Sequence, residues 1–199
     1  IIPKDIFLNI VIIDNNNFAT YGPILKKYEK NYKFKLHYVN EIRRGIVFAR
    51  NRFLKYLQNI KKKINLIGFI DDDCQVDKKW LSYHLKTIKN FNCDISTGPQ
   101  LKKKFKNKSE KLIFSLTNKY INRNYSPTNW AATNNVLIKY ENVKKKINFD
   151  YKLNSIGGSD QLFFSILHKR GLKLIWNKNA KVYEDDKDKK LDNAWFFRR

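Results

Sequence analysis

The apolar run Ile64-Asn65-Leu66-Ile67-Gly68-Phe69-Ile70 stops at three consecutive acids, Asp71, Asp72 and Asp73. A short apolar run that ends in charged residues has the pattern of a strand buried on both faces. Such strands belong to sheets covered by helices, and ligands of these sheets bind outside the carboxyl ends of the strands. Three adjacent carboxylates repel one another, and a divalent cation with oxygen ligands is the candidate that relieves the repulsion. An acidic turn that caps the next helix fits the same residues, because acids are favoured at the positive end of a helix dipole. The triplet by itself leaves both readings open.

Other segments repeat the alternation of strand and helix. Ile6–Ile13 is nearly continuous in β-branched and apolar residues, ends in Asp14-Asn15-Asn16-Asn17, and predicts a first strand. A helix over Ile24–Lys30 and a strand over Phe34–Val39 follow. Val47, Arg50, Leu54, Leu57 and Ile60 recur at helical spacing after Gly45, and Trp80, Leu81, His84, Leu85, Ile88 and Phe91 do so again. A short strand is expected over Asp94–Gly98. Beyond Pro99 we expect a solvated basic stretch at Lys102–Lys108, a helix over Leu112–Tyr120, a loop at Asn122–Asn129 because of Pro127, and a strand over Asn135–Tyr140. Gly157-Gly158-Ser159-Asp160 opens a helix that runs to Arg170 and is closed by Gly171, with short strands at Leu172–Trp176 and Lys181–Tyr183. The expected class is α/β, with a mainly parallel, mixed central sheet flanked by helices.

Charge raises the question of partners. The chain of 199 residues carries 41 Lys+Arg against 18 Asp+Glu, a formal charge of +23. Such an excess suits nucleic acid, an anionic membrane surface or a phosphorylated substrate. Lys, Asn, Ile, Phe and Tyr are enriched together, however, as a low-GC coding sequence produces, and Arg, the residue suited to bidentate phosphate contact, is the minority cation. No helix-turn-helix, zinc-finger or RNA-recognition signature is visible, so we expect no nucleic-acid partner. Cys74 and Cys93 are too few for a disulfide framework or a zinc site, which fits a reduced, cytoplasmic setting. His37, His84 and His168 have no metal-ligand spacing. No run approaches the ~18 apolar residues of a membrane span.

Three further groups carry candidate chemistry. Asp160 sits where a helix opens after two glycines, placed as a general base or simply as an amino-terminal cap residue beside Ser159. Asp14 could accept a hydrogen bond from a nucleobase or ribose, or form an Asx-turn with its neighbours. Arg43-Arg44-Gly45 and Ala49-Arg50-Asn51 could meet a phosphate or form a solvated helix face.

The order of these motifs is more specific than any one of them. Asp14-Asn15, Arg44-Gly45-Ile46 with Ala49-Arg50-Asn51, Phe69-Ile70-Asp71-Asp72-Asp73 with Trp80-Leu81, Gly98-Pro99, Asn135-Val136-Leu137, Phe149-Asp150, Gly157-Gly158-Ser159-Asp160 with Phe163-Phe164, and Gly171 before Trp176, Ala180 and Glu184 succeed one another. In this series the chain resembles the family 2 glycosyltransferases of the GT-A fold over nearly its full length. The resemblance implies an inverting transferase that moves a sugar from a nucleotide-diphosphate donor to a hydroxyl of a glycan or lipid-linked glycan, in cell-surface polysaccharide biosynthesis. It implies that Asp14, Asp71, Asp72, Asp73 and Arg50 bind the donor, that Asp71 and Asp73 hold Mg or Mn, and that Asp160 is the general base. Trp130, Ser159, Arg198 and Arg199 are candidate diphosphate or acceptor contacts. It further implies a nucleotide-sugar half over residues 1–99 and an acceptor half over 100–199.

Two departures follow. The strand, turn and helix with which the family begins are absent before Ile6, which agrees with a chain that has no methionine and opens on Ile1; we expect a piece of a longer product. Ser159 stands where the family has Glu. A non-catalytic sugar-nucleotide-binding protein is the alternative that this exchange raises, and a basic nucleic-acid-binding module is a weaker one. The expected location is cytoplasmic, with peripheral contact at an anionic membrane face.

Overall fold

The computed structural model describes residues 2, 3, 5–18, 22, 34–103, 105, 107–117, 124–144 and 147–184. Two compact units divide the chain, each built from separated segments: Ile2–Ile67 with Lys139–Gly171, and Gly68–Ile138 with Leu172–Arg199.

In the first unit, β1 (Asn9–Asp14) and β2 (Lys35–Asn40) pair in parallel, Asn9 opposite Lys35 and Asp14 opposite Asn40. Helix α1 (Ile46–Gln58) places Val47, Leu54 and Leu57 in the core at the spacing of one helix face. Tyr140, Val143, Ile147 and Phe149 return to the same unit through short 3-10 turns at Tyr140–Asn142 and Tyr151–Leu153. In the 159–169 helix, Phe163 stacks on Phe149 at 4.0 Å between ring centroids and meets Phe164 edge-on at 5.3 Å.

The second unit holds the larger sheet. Its strand order is β3 (Leu66–Phe69), β8 (Val136–Lys139), β5 (Ile95–Thr97), β9 (Leu174–Asn177) and β7 (Asn124–Thr128). A smaller sheet joins β4 (Cys74–Val76), β10 (Val182–Glu184) and β6 (Gln100–Lys102). Pairing is parallel for β5–β9 and β6–β10, and antiparallel for β5–β8, β7–β9 and β4–β10, so the class is mixed α/β. Helix α2 (Trp80–Phe91) buries Trp80, His84 and Thr87, and α3 (Lys108–Thr117) follows β6.

The segment expected to be a loop at Asn122–Asn129 contains strand β7. Proline removes one backbone donor, which a central strand cannot accept but an edge strand can, and β7 is the last strand in the order, with Pro127 opposite Ile175. The register shifts between Asn124 and Ser126, where Tyr125 takes φ 51° and stacks on Phe91 at 4.8 Å. Strands β4 and β6 also went unpredicted. The predicted helix over Ile24–Lys30 lies outside the described residues.

Candidate active site

The first unit contains Asp14, Arg50, Ser159 and Asp160. Asp14 ends β1, is 6% exposed, and its Oδ2 accepts a hydrogen bond from the Tyr38 hydroxyl at 2.5 Å. The local Asx-turn therefore does not describe its carboxylate, which is fixed across the strand pair. Asn15 does the bridging instead. Its amide donates to the carbonyls of Glu41 and Arg43 at 2.9 and 2.6 Å, and its oxygen accepts from Gly45 N–H at 2.7 Å. In that loop Glu41 is buried and accepts from the Arg43 backbone N–H, Nε and Nη2 at 3.0, 2.8 and 2.9 Å, and these bonds hold its carboxyl below the usual carboxylate range. The Arg43 guanidinium lies 4.8 Å from the centroid of the Phe48 ring.

Gly45 begins α1 at φ 132°, and a Cβ there would overlap the side-chain amide of Asn154. That amide accepts from Val47 N–H at 3.2 Å and donates to Arg44 O at 3.4 Å, so it supplies the cap that the glycine cannot. Three successive residues of α1 then reach three different segments. Arg50 donates to Ser159 Oγ at 2.9 Å, and its guanidinium lies 5.5 Å from the Phe149 ring centroid. Asn51, buried, donates to Phe149 O at 2.9 Å and accepts from Phe149 N–H at 2.8 Å, a two-bond clamp that copies a backbone pairing. Arg52 donates to Asn40 O at 3.2 Å.

Gly157 and Gly158 both lie in the left-handed region, at φ 86° and 77°, and turn the chain into α4 (Ser159–Lys169). Neither Ser159 nor Asp160 is the capping residue: Gly158 is, without a side-chain cap. Ser159 is buried and spends its oxygen on Arg50. Asp160 is half-buried in the first turn, where its charge suits the helix dipole, and its Oδ1 accepts from Gln161 N–H at 3.0 Å.

The second unit holds the acidic triplet and Trp130. Cys74 N–H donates to Asp71 O at 3.1 Å, closing a turn with Asp72 and Asp73 at its centre; Asp72 is exposed, and Asp71 and Asp73 are half-buried. The triplet caps no helix. Strand β4 intervenes, and Asp77 instead receives Lys79 N–H at 2.9 Å where α2 begins. Burial, then the charges of Asp71 and Asp73, the Asp73 hydrogen bond and the charge of Glu184 push the Cys74 thiol up to about 12. Glu184 lies opposite Cys74 in the β10–β4 register and accepts from Gln100 Nε2 at 2.7 Å; Gln100 also meets Asn134. Trp130 closes a small turn with the Thr128 hydroxyl, which donates to Trp130 O at 3.1 Å. Arg198 and Arg199 lie outside the described residues.

These donors fit a particular kind of cation site. Among the described residues no group of three or more His, Cys, Asp or Glu is placed to hold a metal ion. Two half-buried carboxylates on one turn offer oxygen donors alone, the kind that suits Mg or Mn, which keep waters and take substrate phosphates as the remaining ligands. They do not make an all-protein cage.

Behind the turn, Asn135 organises the second unit. Its amide donates to Pro99 O at 3.0 Å and Ala180 O at 2.7 Å, while its oxygen accepts from Trp80 Nε1 at 2.7 Å and lies 3.1 Å from His84 Nε2. That geometry assigns the proton to Nε2 and leaves Nδ1 to accept from the Ser96 hydroxyl at 2.8 Å. Burial lowers His84 to about 4. Gly98 has no room for a Cβ, which would overlap Ala180 O and lie 2.9 Å from Asn177 O. Asn15, Tyr38, Glu41, Asn51, Asn135 and Asn154 were not singled out for these roles from sequence, because asparagine signals a turn locally and its long-range partners leave no periodic trace.

The model of glycosyl transferase family 2 matches residues 4–143. No curated protein matches the chain. Among solved structures, GalNAc-T7 with UDP, GalNAc and Mn2+ superposes with a TM-score of 0.63 at 15% identity, over 88% of this chain and 37% of that one. S. aureus TarS 1–349 gives 0.65 at 16% identity over 88% and 50%, and its complex with UDP gives 0.64. The chain thus spans half or less of the length of these structures, and at such identities the likeness concerns the fold, which is of the GT-A type. By the match over residues 4–143, the chain belongs to glycosyl transferase family 2.

Proposed function

We propose that the protein is an inverting glycosyltransferase acting from a nucleotide-diphosphate-sugar donor on a hydroxyl of a glycan or lipid-linked glycan. The observation that carries this reading is the Asp71–Cys74 turn, which sets two half-buried carboxylates at the end of an apolar strand in a chain of this family. Mg or Mn held by Asp71 and Asp73 would neutralise the diphosphate that departs from the sugar. The GalNAc-T7 structure with UDP and Mn2+ and the TarS structure with UDP support the donor class.

The chain's own residues supply the rest. Asp14, held by Tyr38, accepts from the nucleoside. Asp160 takes the proton of the acceptor hydroxyl as that oxygen attacks the anomeric carbon, and the bond to the diphosphate breaks on the opposite side. Arg50 fixes Ser159 and with it the first turn of the helix that carries Asp160; Trp130, Arg198 and Arg199 are further diphosphate or acceptor contacts. We place the enzyme in the cytoplasm, at the membrane face where lipid-linked acceptors lie.

The test uses the full chain with Mn and a panel of nucleotide sugars. Asp160→Asn should lower kcat by roughly 10²–10⁴, the range of general-base catalysis, and leave donor binding by calorimetry nearly unchanged. Asp73→Asn should weaken Mn-dependent donor binding itself. Unchanged turnover in Asp160→Asn removes the base assignment. Donor binding without turnover in the parent chain points to a non-catalytic binding protein.

A further inference from the structure

Helix α3 turns an unusual face outward. Its i, i+4 row Lys108–Leu112–Leu116 and the neighbouring row Lys111–Ser115 are all exposed, and Leu112 and Leu116 remain 59% and 58% accessible. Residues one turn apart share a face, so the two leucines form one apolar ridge with lysines at its start and along its side. Phe114 lies on the other side of the helix and meets the Phe105 ring edge-on at 5.4 Å. The approach to the helix is basic throughout: Lys102–Lys111 contains six lysines and one acid, Glu110.

We infer that α3 is a membrane-contact element, which lays Leu112 and Leu116 into the interface of an anionic bilayer while Lys108 and Lys111 meet lipid phosphates. An amphipathic helix with lysines beside its apolar ridge has the composition of a segment that lies in the interface plane, and clustered lysines are attracted to anionic lipid. A helix of ten residues is only about 15 Å long, too small a face for the roughly 1,000 Å² of a stable protein interface. The ridge is also too narrow and too short to span a bilayer, and no described helix is long and apolar enough to do so. The inference gives a location to the membrane contact proposed above, yet it does not depend on sugar transfer.

Sedimentation of the full chain with phosphatidylcholine vesicles, with and without phosphatidylglycerol, tests it. Binding is expected to the anionic vesicles only, and to weaken with added salt. Leu112→Gln/Leu116→Gln should lower the partition coefficient by about tenfold, and Lys108→Gln/Lys111→Gln by about 25-fold, at about fivefold per lysine. Circular dichroism and melting temperature should match the parent, because all four side chains are exposed. Absence of binding, or equal binding by both variants, overturns the proposal; the second result assigns the contact to the net charge of the rest of the surface. A change of oligomeric state in the leucine variant, read by light scattering, overturns it in favour of a protein interface. None of these readouts involves turnover, so a failed transferase assay leaves the result standing.

Discussion

His84 shows how a residue with no local signature organises its surroundings. It is fully buried, accepts from Ser96, donates to Asn135, and is held neutral down to about pH 4. An unfolded chain binds the proton below its ordinary value of 6.5. Stability from this residue is therefore complete above that value and declines as pH falls from 6.5 towards 4, by up to about 1.4 kcal/mol per pH unit. Urea midpoints measured across that interval should fall for the parent and be flatter for His84→Gln, which cannot titrate. Parallel curves for the two would remove the assignment. In sequence His84 was legible only as one member of an apolar helix face, correctly placed and wrongly apolar. Asp14 is a similar case. Its neighbours Asn15 and Asn16 suggest a local turn, whereas its carboxylate bonds Tyr38, which lies 24 positions along the chain.

Elements were legible where a period ran long enough to be read. Helix Trp80–Phe91 matches its predicted span, and α1 and α4 end within a few residues of theirs, because apolar spacing and Gly171 mark them. Strands β4 and β6 carried no such signal, and Pro127 hid β7 by a rule that holds for central strands only. The start of α1 was marked by Gly45, but the reason is long-range: φ 132° and the Asn154 amide leave no space for a side chain. Gly45→Ala should accordingly destabilise the protein, by about 1–3 kcal/mol for strain at positive φ and further for the overlap with Asn154, whereas the same exchange inside an ordinary helix is stabilising. Denaturant unfolding measures this, and Asn154→Ala in the same background should recover part of the loss by clearing the overlap. No recovery would mean that backbone strain alone sets the cost.

For the whole molecule, the charge of +23 sets the long-range behaviour. A phosphate backbone would meet the Asp71–Asp73 turn as repulsion, so generic DNA and RNA should bind only through the salt-sensitive phosphate contribution. Anisotropy titrations at ~50 mM and ~200 mM salt should show any complex lost at the higher value without sequence preference; a sequence-selective complex that survives would count for a nucleic-acid module. The family of the whole chain was legible from the order of its motifs, which no single motif could supply. The exposed ridge of α3 was not, because exposure is decided by what packs elsewhere. The edge strand β7 has a further effect at this scale. An open sheet edge is a template on which another copy can add a strand, and long flat edges seed aggregates. On β7, Pro127 takes one donor out of the row and the Tyr125 bulge bends the strand away from flatness. A second molecule arriving there finds an interrupted and twisted ladder, and the five-stranded sheet is guarded on that side against growth into a fibre.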